Sequence, residues 1–236
     1  MLSSTAILWA ILGGILPTLV WLWFWLREDQ RHPEPPHLIL ACFVLGMCAV
    51  PLAVPFERLI SSVASAPLWI FVGWAFVEEI LKYGAAYIGG MHTQAEDEPI
   101  DALIYIITAA LGFAAAENTL FILEPFIAGE VFTGLITINV RFVGTTLLHI
   151  LASGIIGAAV AFSFYQKEVL RIEHALLGIV GAVALHALFN FLILHTGSKG
   201  MFAVFVFIWI AIIGLLIVFE RIKHIRRTAQ IMKHES

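Results

Sequence analysis

The chain has 236 residues, 61% of them hydrophobic and 13% charged, with a net charge of −4 and a mean hydropathy of +0.95. A water-soluble domain carries about 25% charge, so this composition excludes one and describes a polytopic membrane protein whose first partner is the lipid bilayer. The acidic balance gives no ground for nucleic-acid binding. Cys42 and Cys48 share one apolar segment without facing each other, and they read as small buried apolar positions rather than a disulfide framework.

Seven apolar segments follow in chain order, at about 2–26, 38–55, 67–90, 100–123, 133–165, 174–195 and 201–220. The expected fold is all-α: a transmembrane helical bundle of about seven spans, or eight, in one integral-membrane domain over 1–236. The first segment is too long for a signal-peptide core and follows no basic residue, so it reads as a retained span. The fifth exceeds what one span needs, so residues 132–140 read as a tilted extension or an interfacial piece. Two charged connectors, 27–36 and Glu96-Asp97-Glu98-Pro99, read as solvated turns, with Pro99 suited to starting a helix. Alternate connectors place Arg27, Arg31, Lys167, Arg171, Arg221, Lys223, Arg226, Arg227 and Lys233 on one side, against Arg58 and Lys199 on the other. That bias predicts a multi-pass cell-membrane protein with its N-terminus outside and its C-terminus in the cytoplasm.

The third segment carries Glu78, Glu79 and Lys82. At about 100° per residue these charges share one helical face with Ala75, Ala86 and Gly89, while Trp69, Phe76, Ile80, Tyr83 and Tyr87 lie opposite. Charge inside a span is costly and marks function. The plainer alternative is an ion pair of Lys82 with one glutamate, three or four residues back, which leaves the other carboxylate unaccounted for.

Polar groups also interrupt later segments: Glu117 and Asn118, then Arg141, His149 and Ser153-Gly154, then His186 and Asn190. At about 1.5 Å per residue, Glu78 and His186 lie about 18 Å, and Glu117 and His149 about 24 Å, from the Arg27 side of a core about 30 Å thick. The match in depth points to one shared site within a catalytic core of about 67–195. Arg141 reads as a partner for a carboxylate or a group reaching the interface, and Ser153 and Gly154 as close-packing positions.

Two histidines and a glutamate suit a divalent metal, zinc above all. That assigns Glu117, His149 and His186 as ligands, Glu78 as the base that activates water, and Glu79 as support for Lys82. The soluble zinc motif with two histidines on one helix is absent. A metal-free version stays open, with a glutamate activating water while His186 and Asn190 steady the oxyanion.

Glu78-Glu79-Ile80-Leu81-Lys82 resembles the Glu-Glu-x-x-Lys motif of PrsW-family intramembrane proteases, and Phe113-Ala-Ala-Ala-Glu117 its Phe-x-x-x-Glu motif. His186-Ala-Leu-Phe-Asn190 resembles the family's late histidine motif. The three stand in order over about 80–190, each on its own apolar segment. The resemblance implies a metallopeptidase related to the CAAX prenyl-protease and bacteriocin self-immunity group. It also implies a membrane-anchored protein substrate, with site-1 cleavage of an anti-sigma factor as the described role, and it carries over to Glu78, Glu79, Glu117 and His186. A proton-coupled transporter or a non-catalytic scaffold would use the same polar groups differently, but the paired repeats common in transporters are missing.

Overall fold

A computed structural model describes residues 4–28, 32–196 and 198–234. Part of the first connector, residues 29–31 with Arg31, lies outside the described residues. So do the side chains of Lys199, Arg226, Arg227 and Lys233, which entered the orientation argument.

Inside a bilayer the backbone must satisfy its own hydrogen bonds, and every long apolar stretch is helical. The elements are α1 (Ser4–Glu28), α2 (Pro36–Val63), α3 (Pro67–Ala86) ending in a π turn (Tyr87–Met91), α4 (Pro99–Ile127), α5 (Val131–Val140), α6 (Thr146–Phe162), α7 (Glu168–His195) and α8 (Ser198–His234). A second π turn, Arg141–Thr145, joins α5 to α6, so residues 131–162 form one rod and the expected extension is helix. Among the described residues, six rods are long and apolar enough to cross a membrane. The seventh, α3, misses that description because Glu78, Glu79 and Lys82 crowd its centre. Pro36, Pro67 and Pro99 each open a helix, where a missing N–H costs nothing.

The axis of the bundle is α4. Its apolar window is 94% buried, as a helix hydrophobic on all sides should be, and α1, α2 and α6 pack around it. Two glycines let α2 meet it backbone to backbone. A side chain at Gly46 would strike the Ala109 carbonyl, and one at Gly112 the Phe43 carbonyl. Farther along, Val50 and Ala53 of α2 cluster with Phe113. Beyond these a groove of about 590 Å³ lies between α1, α2 and α4, bordered by Val50, Val54, Ala116 and Leu120.

Several expectations change. The helix α2 runs to Val63, past the expected end at 55, because Pro51 and Pro55 are accommodated within it. The connectors are solvated only in part: among the described residues Arg27, His32 and Asp97 are exposed. Glu34, Glu98 and Asp101 are buried, with the Tyr105 hydroxyl donating to Glu34 and Arg171 pairing with Glu96 at 3.0 Å. Cys42 is buried but Cys48 is exposed, and both are free thiols.

Candidate active site

The apolar spacing of α3 aims its charges inward. Ala75, Glu78, Glu79, Lys82, Ala85 and Ala86 are buried, while Trp69, Phe76, Ile80 and Tyr87 are exposed. An ammonium has three N–H donors, and Lys82 uses them on Glu79 Oε1 at 2.8 Å, Glu78 Oε2 at 3.2 Å and His149 Nδ1 at 2.8 Å. The expectation that only one glutamate is accounted for gives way here: Lys82 holds both, and an imidazole besides. Its Nζ also lies 4.4 Å from the Phe113 ring centre.

The two glutamates are not equivalent. Glu79, with no exposed surface, accepts from Lys82 and His186 Nδ1 (2.8 Å) on one oxygen and from the Ser153 hydroxyl (2.7 Å) on the other. Ser153 is therefore a polar member of the cluster rather than a packing residue. Among the described residues Glu78 accepts from Lys82 alone, and its Oε2 lies 3.7 Å from His186 Nε2, too far for a hydrogen bond. Glu78 thus leaves one oxygen without a donor, whereas both oxygens of Glu79 are engaged.

The other side is built from α4 and the α5–α6 rod. Because Lys82 donates to His149 Nδ1, that ring carries its proton on Nε2, which donates to Glu117 Oε2 at 3.0 Å. Arg141 donates to the same Glu117 oxygen and to Asn118, and its guanidinium lies 4.1 Å from the Phe121 ring centre. Asn118 in turn donates to the Thr146 hydroxyl at 3.0 Å. The rings of His149 and His186 meet edge to face at 5.3 Å. Six groups predicted from four segments thus stand in one hydrogen-bonded cluster: Glu78, Glu79, Lys82, Glu117, His149 and His186. Asn190 lies one turn beyond His186, half-buried, and makes no hydrogen bond to the cluster among the described residues.

Among the described residues, the metal-capable donors that converge are Glu78, His149 and His186, with their ligand atoms within 4.8 Å of one another. Glu117 stands behind His149, held by Arg141, and takes no part in that set. The donor chemistry suits a borderline divalent ion such as zinc. Glu79 already accepts from the far nitrogen of His186, as carboxylates beside metal-bound imidazoles do. His149 has both nitrogens occupied, so ligation there requires its contact with Lys82 to open.

One acid near the cluster was not legible as part of it. Glu57 of α2, beyond the expected end of its segment, is half-buried and within electrostatic range of Glu78, Glu117, Lys82 and His186. The only signal was a lone acid just past an apolar run.

A helical bundle enclosing acids, imidazoles and a lysine at mid-depth defines a multi-pass membrane protein with a buried polar centre. Residues 34–217 match the family described as PrsW family intramembrane metalloprotease, and the chain belongs to it. The match makes the protein a membrane-embedded protease. Similar proteins include the protease PrsW of Bacillus subtilis (strain 168), 25% identical over 84% of this chain and 90% of that one. The protease PrsW of Shouchella clausii (strain KSM-K16) is 23% identical over 92% and 98%, and that of Geobacillus kaustophilus (strain HTA426) 28% identical over 48% and 52%. No solved structure matches the chain.

Proposed function

We propose that the protein hydrolyses a peptide bond in a membrane-anchored protein, an anti-sigma factor being the substrate class its motifs imply, using water held between Glu78, His149 and His186. The observation that carries this reading is the convergence of Glu78, His149 and His186, whose donor atoms lie within 4.8 Å of one another, with one Glu78 oxygen accepting nothing among the described residues. Glu78 accepts a proton from the water and passes it to the leaving amine. Lys82 holds Glu78 aimed, while Glu79 fixes the orientation of His186. Asn190, on the same face as His186, donates to the oxyanion. Glu117 and Arg141 hold His149 from the other side. A divalent cation, zinc by donor type, would be held by His149 and His186 with Glu78 beside it, and would supply a more acidic water and charge for the oxyanion.

The basic connectors support an orientation with the N-terminus outside and the C-terminus in the cytoplasm. The cluster then lies toward the outer half of the membrane, and cleavage falls in the outer half of a substrate span or just beyond it. Purified protein in liposomes tests the whole reading. Chelation should abolish cleavage and zinc restore it, His186→Ala should lower bound metal, and mass spectrometry should place the new termini on the outer side. Full activity in protein free of metal by elemental analysis would remove the cation and leave the glutamate-and-asparagine mechanism. A cytoplasmic cut would overturn the orientation.

A further inference from the structure

Resting on that hydrolytic reading, we propose that Glu57 determines specificity by pairing with a basic side chain of the substrate, on the flank of the scissile bond nearest the α2–α3 connection. Glu57 lies on the helical stripe of Val50 and Ala53, which packs against Phe113. Its main-chain carbonyl accepts from the Trp74 indole at 3.0 Å. This bond fixes the end of α2 beside α3, with half-buried Glu57 level with the turn before Glu78.

Among the described residues Glu57 forms no side-chain hydrogen bond and no ion pair, and its neighbours Phe56 and Leu59 are 54% and 61% exposed. The nearby cations are committed: Lys82 has filled its donors with Glu78, Glu79 and His149, and Arg141 serves Glu117 and Asn118. A half-buried carboxylate among apolar side chains is costly unless a cation meets it. Glu117, whose side chain is 20% exposed, is the most open acid of the cluster and, paired with Arg141, forms the rim on this side. The groove bordered by Val50, Val54, Ala116 and Leu120 adjoins that rim and is wholly apolar apart from Thr119. A substrate span lying in it would bring its terminal turn past Glu57. A Lys or Arg there gains an ion pair in a partly desolvated setting, while an Asp or Glu meets repulsion from Glu57.

The test uses the full chain in liposomes and three otherwise identical single-span Leu/Ala peptides carrying Lys, Gln or Glu on the outer flank, the position scanned over two turns. Wild type should favour the Lys peptide over the Gln peptide by about tenfold in kcat/KM, carried by KM. In Glu57→Gln that ratio should fall to near one, and in Glu57→Lys the Glu peptide should become the preferred one. Equilibrium binding of the same peptides to Glu78→Gln protein should show the same ranking and the same reversal. An unchanged ranking in both Glu57 variants overturns the inference. If no peptide is cut by wild type while binding follows Glu57, the hydrolytic reading fails and the recognition role stands; if binding does not follow Glu57, the inference fails whatever is cut.

Discussion

The two ends of α4 bury acids in opposite ways. At its start, Asp101 Oδ2 accepts the backbone N–H groups of Asp97 (2.9 Å) and Glu98 (2.6 Å), and Glu34 accepts from the Tyr105 hydroxyl. The donors are neutral, and burial pushes the Glu34 carboxyl above its ordinary value, only partly offset by its hydrogen bonds to Tyr105 and Asp101. Toward its other end, Glu117 meets Arg141 and His149, in a network that continues through Lys82 to Glu78 and Glu79. Neutral donors make a clamp that ties the α1–α2 connector to α4. Fixed cations and imidazoles keep carboxylates charged in an apolar setting, which is what hydrolysis requires of its proton acceptor.

The contrast can be broken in three places. The largest effect should come from Glu78→Gln, which removes the one carboxylate that converges with His149 and His186. Cleavage should fall by about 10²- to 10⁴-fold, while the melting temperature moves little because Lys82 keeps Glu79 and His149. Glu79→Gln should do the reverse of a clean catalytic loss. It strands a buried lysine, a histidine and a serine, costing about 3–5 kcal/mol, read as a fall in denaturation midpoint in detergent. Equal, mild losses of activity in both variants would erase the distinction drawn between the glutamates.

The smallest effect belongs to the clamp. Glu34 has a folded-state pKa above the ordinary 4.5, so between that value and its raised one the native protein binds more protons than the unfolded chain. Stability should therefore fall as pH rises through that window, by at most about 1.4 kcal/mol per pH unit for one group. Glu34→Gln stays neutral throughout, and its melting temperature followed by circular dichroism should vary less with pH. A slope identical to wild type would mean that another group titrates there.

Hydropathy made the spans legible because lipid admits few backbone solutions. The shared depth of Glu78, Glu117, His149 and His186 was legible because helical rise converts sequence position into height. The partners were less so. Sequence spacing offered Lys82 its neighbours on α3 but not His149, and nothing local connects Ser153 with Glu79 or Arg141 with Glu117. Glu34 and Glu57 were hidden for a different reason: hydropathy ends a segment at the first charges and prolines, whereas α2 continues through Pro51 and Pro55 to Val63. Charged connectors likewise look solvated until the tertiary fold supplies Tyr105 and Arg171.

The π turn at Arg141–Thr145 carries a consequence for how this sequence can change in length. A π turn amounts to one extra residue accommodated within an α-helix. Here it lies between two groups, Arg141 and His149, that both reach the same oxygen of Glu117. Deleting a single residue from 142–145 would let the rod close into uninterrupted α-helix, with Arg141 then seven residues, about two turns, before His149 and still on its face. The same loss from 146–148, in regular helix, would turn what precedes it by about 100° and carry Arg141 off Glu117. The chain should therefore tolerate the loss of one position within the π turn and refuse it in the turn that follows.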